Sequence, residues 1–277
     1  MINLAKRRKI IYKSIILYFI ILISLIGLCF SFYNIIKYKI DENNTKKQLG
    51  IINDKVTLKE IDNSGEIINQ EETIPKSNPY WDYIKMNLID VNFDKLKNIN
   101  KNIRGWIQVN GTNINYPFVQ ANDNDYYLTH SFDNSWNDAG WVFLDYGNNI
   151  SNFNDKNTII YAHGRFDNTM FGSLRNILRS SWLDNTNNYV IKLSTEYENT
   201  LWQVFSIYRI PTTSDYLEIN FKTNDEFNSF TNMLLNRSAY NFNTTVSPSD
   251  RILTLSTCYD KSDKVVLHAK LIKREKK

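Results

Sequence analysis

The sequence predicts a mainly β, α+β chain: an eight-stranded β-barrel with N-terminal helices, preceded by a single transmembrane helix. Three observations predict it. Residues 14–36 read SIILYFIILISLIGLCFSFYNII, 23 positions without a charge. Beyond Gly105, short apolar runs rich in β-branched and aromatic residues alternate with Asn, Asp and Gly, which is the pattern of strands and turns. No linker interrupts residues 79–277, so a single domain holds them.

The uncharged run, at 1.5 Å per helical residue, exceeds the roughly 30 Å hydrocarbon core of a bilayer. A cleaved signal peptide has an apolar region of about 7–15 residues followed by small residues at its cleavage site. Neither is present here. Lys6, Arg7, Arg8, Lys9 and Lys13 precede the run with no acid among residues 1–13, while Lys37 and Lys39 after it are offset by Asp41 and Glu42. Positive charge marks the cytoplasmic side. The expected plan is therefore a cytoplasmic tip at residues 1–13, an uncleaved anchor at 14–36 and the remainder outside the cell. The net charge is +4, and removing the five charges of the tip leaves −1. With no basic excess over the folded part, nucleic acid is not an expected partner.

Residues 37–78 are polar, lack aromatics after Tyr38 and show no strong period, with turn chemistry in DNSGE and EETIPKSNP, so a stalk is expected. Any short helix near residues 56–61 would carry little core. The ordered domain begins at Pro79, where Tyr80, Ile84, Leu88 and Ile89 recur at helical spacing, and a second helical segment follows at 93–96. Strands are expected at 105–109, 114–118, 141–144, 157–162, 189–193, 200–210, 251–257 and 265–272. Helices are expected at 171–183 and at 225–238, the second with Phe227, Phe230, Leu234 and Leu235 on one side.

Two segments carry chemistry. NTIIYAHG at 157–164 is an apolar strand ending in His163, and ILTLSTC at 252–258 is another ending in Cys258. Each places a reactive group where a strand runs into a loop. Of the two cysteines, Cys29 lies in the apolar run, so Cys258 is the lone exported thiol and no disulfide is expected. A thiol of pKa ~8.5 and an imidazole of pKa ~6.5 make a natural nucleophile and general acid pair. A lone cysteine is also often a small buried hydrophobe, and a histidine at a strand end is often a plain surface residue. His130, His163 and His268 are the only histidines and follow no ligand spacing, so neither a metal site nor a cofactor is expected.

At these residues the sequence resembles a class B sortase. The resemblance rests on TLSTC at 254–258, NTIIYAHG at 157–164, DNTMFGSL at 167–174 and GWIQVNGTNINYPFVQANDNDYYL at 105–128. It implies a sortase-like eight-stranded barrel with an N-terminal helical extension and a helix, at 225–238, on the way to the cysteine strand. It also implies transpeptidation at a cell surface: a thiolate attacks the Thr carbonyl of a C-terminal sorting signal on a surface protein, and a cell-wall amine resolves the acyl-enzyme. Carried across, Cys258 matches the nucleophile and His163 the general acid/base, a pair in which only a minority of molecules hold thiolate and imidazolium together.

The family's third residue is an arginine in an R-x-V-V-x-A-K-like stretch, and here Lys264 stands in its place, in Lys264-Val-Val-Leu-His-Ala-Lys270. Lysine keeps the charge but loses the planar fork of donors. Three accounts are open: Lys264 does the work, Arg209 or Arg165 reaches in, or activity is weak or lost. By the same matching, Asn124, Leu128, Tyr161 and Ser256 resemble substrate-pocket positions, and Tyr216 and Thr213 lie in a segment expected to wall the groove. Tyr161 and Ser256 sit two residues before His163 and Cys258, on the same strand faces. For Tyr161 and Leu128, core packing is the competing role. Two rival classes stand beside this reading: another cell-wall cysteine enzyme, and a surface protein that keeps the barrel without catalysis.

Overall fold

The structure, a computed structural model, describes residues 4–62, 65–68, 74–149, 155–260 and 262–277, with side chains from Ile11 onward. The chain divides into two compact units, Met1–Asn44 and Thr45–Lys277. Helix α1, Leu4–Lys55, opens the chain. Within the first unit its apolar side chains from Ile11 to Ile36 are all exposed, Tyr18 at 71% and Phe32 at 68%. A belt of this length with nothing packed on it is a candidate membrane span.

The stretch expected to be a stalk without strong period carries regular structure among its described residues. Helix α1 runs to Lys55, and residues 57–61 form a strand, not a helix: β1, Thr57–Ile61. A two-residue strand follows, β2, Glu66–Ile67. The helical spacing read from Tyr80 onward ends early, because α2 is only Tyr80–Tyr83, and Leu88 and Ile89 belong to β3, Leu88–Asn92. Strand β3 pairs antiparallel with β1, Ile61 opposite Leu88 and Thr57 opposite Asn92. Leu88, Ile89 and Val91 are buried. A partner strand distant in sequence thus captured residues that local periodicity assigns to a helix. Helix α3, Asp94–Lys97, lies at the expected place.

The barrel consists of β4 Ile103–Val109, β5 Asn115–Val119, β6 Phe143–Leu144, β7 Asn157–Tyr161, β8 Val190–Thr195, β9 Glu198–Pro211, β10 Ile252–Cys258 and β11 Asp263–Lys276. Their order around the wall is β10-β7-β6-β5-β4-β8-β9-β11, and the pairing of β11 with β10 closes it, with β2 added beside β11. Closure removes the exposed edges an open sheet would carry. Two pairs are parallel, β7 with β10 and β5 with β6; the rest are antiparallel. Register shifts between His268 and Ala269 and between Leu271 and Lys273 let the long β9–β11 ribbon coil around the wall. Trp106, Trp141, Trp202, Phe118, Phe132 and Phe171 fill the interior and are at most 2% exposed.

The helix expected at 171–183 is instead a 3-10 turn, Gly172–Leu178, and a single α turn, α4, Ser180–Leu183. Arg179, with ψ 146°, is extended and separates them. Helix α5, Asn224–Arg237, matches expectation. The Thr223 hydroxyl caps it by accepting the Glu226 N–H at 3.1 Å. Its face of Phe227, Phe230 and Leu234 packs with Phe205, Tyr208 and Ile252 outside the barrel wall. Each such buried side chain contributes roughly 1.5–3 kcal/mol relative to exposure. This packing braces β10, the strand that carries Cys258.

Candidate active site

Parallel pairing of β7 with β10 sets the geometry. Ser256 stands opposite Tyr161, so His163 and Cys258, each two residues further on, leave the same end of the barrel side by side. The Thr257 hydroxyl donates to the Ala162 carbonyl at 2.8 Å and ties the two strand ends together. Gly164 completes the fit, because a Cβ there would fall 2.0 Å from the Cys258 carbonyl oxygen. Only glycine allows the backbones this approach.

Cys258 is half-buried. Antiparallel pairing of β10 with β11 puts Lys264 directly opposite it, and Lys264 Nζ donates to Cys258 Sγ at 3.0 Å. The two arginines that could have substituted for it are held elsewhere. Arg209 bonds Asp263 at 2.6 Å and Asp260 at 2.9 Å, and Arg165 bonds Asp167 at 3.1 Å.

His163 is half-buried, and its Nε2 lies 2.8 Å from the Leu128 carbonyl oxygen. A carbonyl only accepts, so Nε2 carries the proton and Nδ1 is the free base of the neutral ring. Burial pushes the imidazole pKa below its ordinary 6.5; the Leu128 carbonyl pulls it up, Arg165 and Lys264 push it down, and Asp138 pulls it up. The net direction is down, toward the neutral ring. Among the described residues no hydrogen bond joins His163 to Cys258; the ring is held by Leu128 and the sulfur by Lys264.

The remaining expected positions fall into two groups. Asn124 Nδ2 and Tyr161 Oη both donate to the same Asp145 carboxylate oxygen at 2.8 Å. Burial and then Asp145 raise the Tyr161 pKa, so the phenol stays a donor. Asp145 was not among the expected residues, although it follows β6 directly, the same strand-end position that singles out His163 and Cys258. Leu128 enters through its carbonyl, and its side chain and that of Tyr161 are also partly buried against the main core. Ser256 and Tyr216 form the second group, 2.9 Å apart and 4% and 1% exposed, with Tyr216 packed in the same cluster as the apolar face of α5. Thr213 is half-exposed on the loop before them. A cavity of about 930 Å³ lies at the opposite end of the barrel, lined by Arg104, Gln120, Tyr146 and Tyr197 among others, and contains none of the three reactive groups.

A closed eight-stranded barrel that presents a histidine and a cysteine from parallel neighbouring strands, with a cation on the sulfur, defines a cysteine acyltransferase. The sortase domain family model matches residues 107–272. Sortase B of Staphylococcus aureus is 36% identical over 185 residues, covering 65% of this chain and 75% of that protein. Among solved structures, a Staphylococcus aureus sortase B–substrate complex superposes with a TM-score of 0.61 at 34% identity, covering 65% of this chain and 84% of that one. Sortase B from Bacillus anthracis in complex with AAEK1 gives 0.66 at 31% identity, covering 84% and 99%. The chain belongs to the sortase family, in class B. It is a cysteine transpeptidase.

Proposed function

We propose that the protein is a membrane-anchored transpeptidase that cuts a C-terminal sorting signal at its Thr carbonyl, holds the protein as a thioester on Cys258, and passes it to a cell-wall amine. The observation that carries the reading is the 3.0 Å contact of Lys264 Nζ with Cys258 Sγ beside the end of the His163 strand. The ammonium, within hydrogen-bonding distance of the sulfur, is placed to meet negative charge that develops at the reacting carbonyl. The thiolate attacks the Thr carbonyl carbon, and the oxyanion that forms takes a hydrogen bond from Lys264. His163 as imidazolium gives its proton to the departing amine as the C–N bond breaks, leaving the thioester. The neutral ring then accepts the proton of the attacking amine, the C–S bond breaks, and Cys258 returns as thiolate.

With Arg209 and Arg165 each bound to carboxylates, Lys264 is the cation that this reading assigns to the family arginine's task. Asn124, Leu128 and Tyr161, gathered near Asp145 and His163, are assigned to the sorting signal. Ser256 and Tyr216 support the wall of the same groove. For location, the exposed apolar belt of α1 and the basic cluster before it support a single-pass anchor with a cytoplasmic N-terminus and an extracellular domain at residues 79–277.

Mass spectrometry of the purified domain incubated with a panel of sorting-signal peptides tests the proposal. A thiol-linked adduct on Cys258 that converts to an amide with added amine is the expected result. Cleavage or adduct formation that persists in Cys258→Ala overturns it.

A further inference from the structure

We propose that Arg175, with Phe166 and Tyr259, forms a carboxylate-binding subsite beside Cys258 that holds the incoming amine by a carboxylate the acceptor itself carries. This rests on the transpeptidase reading and names the chemistry of its second substrate. Arg175 belongs to the 3-10 turn Gly172–Leu178, and its Nη2 donates to the carbonyl of Gly164, the residue after His163. A methyl group on Gly164 would lie 2.0 Å from the Cys258 carbonyl oxygen and 3.1 Å from Arg175 Nη2. The guanidinium and the backbone of the nucleophile therefore meet at one glycine.

Two rings flank the guanidinium, Phe166 at 4.7 Å and Tyr259 at 6.0 Å from ring centre to Cζ. Phe166 is 83% exposed. It covers the cation without filling a core position, so it can turn aside for a ligand. The charge is also unbalanced. Arg165 and Arg209 are each neutralised by aspartates, whereas Arg175 has no carboxylate partner among the described residues and its buried Nε has no hydrogen-bond partner. A planar fork with an unmet donor matches the two oxygens of a carboxylate.

The ligand is assigned to the acceptor because the candidate sorting-signal groups are engaged elsewhere. Asn124 and Tyr161 meet at Asp145, and Tyr216 meets Ser256. None of these hydrogen bonds reaches Arg175. An acceptor gripped by its carboxylate at Arg175 brings its amine to the thioester as an oriented neighbour. The amine nitrogen attacks the thioester carbon, the C–S bond breaks to return the Cys258 thiolate, and His163 takes the proton.

The test uses the purified protein and two matched probe pairs, glycine with glycinamide and 2,6-diaminopimelic acid with its diamide. Binding of diaminopimelic acid to the Cys258→Ala protein, followed by NMR, is expected to be at least tenfold tighter than binding of its diamide. In Arg175→Gln that ratio falls toward one, while Arg175→Lys keeps part of it; thermal melting checks that both variants fold. In the transfer assay the apparent KM for the carboxylate-bearing amines rises in Arg175→Gln and that ratio to the amides collapses. Equal binding of acid and diamide by the Cys258→Ala protein, or a preference that survives in Arg175→Gln, overturns the subsite. Because the binding experiment needs no acyl-enzyme, a failure of the transpeptidase reading shows separately, as the absence of the Cys258 adduct.

Discussion

Cys258 and Lys264 face each other across the β10–β11 pair, with the lysine ammonium 3.0 Å from the sulfur. Lys264, the residue proposed to take the place of an arginine, therefore reaches the sulfur itself. The ammonium carries three rotatable N–H donors but lacks the planar, bidentate fork of a guanidinium.

Lys264→Ala should lower the rate of acyl-enzyme formation about 100-fold, the scale of losing one oxyanion donor. Lys264→Arg should keep or raise the acylation rate. An unchanged rate in Lys264→Ala would show that another group supplies the positive charge.

The depressed His163 pKa makes imidazolium the minor form at neutral pH. Above that pKa each further pH unit lowers the imidazolium fraction about tenfold. A titration of the His163 ring protons by NMR in the Cys258→Ala protein should give a midpoint below 6.5, and a midpoint above 7 would contradict the burial argument.

His268, fully buried on β11, has its Nε2 2.8 Å from the Tyr208 hydroxyl and its Nδ1 2.9 Å from the Thr254 hydroxyl. Burial, with a smaller push from Arg237, lowers its pKa to about 3. The unfolded chain takes up a proton near 6.5 that the folded chain refuses, so stability falls as pH drops from 6.5 toward 3, by up to about 1.4 kcal/mol per pH unit. Urea unfolding between pH 7 and 4 should show this slope. His268→Phe should flatten it while losing about 1–3 kcal/mol at pH 7, because two buried hydroxyls lose a partner.

Gly164→Ala places a methyl group 2.0 Å from the Cys258 carbonyl oxygen, a backbone atom that cannot swing aside. The strand ends must separate, so both thermal stability and acylation should fall, with a loss of roughly 1–3 kcal/mol in unfolding free energy. A variant with wild-type melting temperature and rate would mean that the β7–β10 junction is looser than described.

Asp145→Asn should weaken the joint anchoring of Asn124 and Tyr161. With these two side chains assigned to the sorting signal, the peptide KM should rise several-fold more than kcat falls. Equal losses in both would place Asp145 in support of His163 instead.

All eight barrel strands are visible in the sequence as short apolar runs between turn residues, and their ends fall within a few positions of those observed. Cys258 and His163 are visible for a related reason: each terminates such a run. The β1–β3 pair is not visible, because TLKEI is mostly exposed and its partner lies some thirty residues away. Asp145 and Arg175 share this obscurity. Their roles come from what they touch, the Asn124 and Tyr161 side chains in one case and the Gly164 carbonyl in the other.

Local order along the chain, the length of the uncharged run, the alternation of apolar residues and the residue types at strand ends were enough to pick out a candidate membrane span, the β-rich domain and the two strand ends that carry His163 and Cys258. They depend only on neighbours in the chain. Which cation meets the sulfur depends on strand register and barrel closure, which bring Lys264 onto Cys258 while aspartates hold Arg209 and Arg165 away. Those contacts join residues far apart in sequence, and only the packed barrel selects among them.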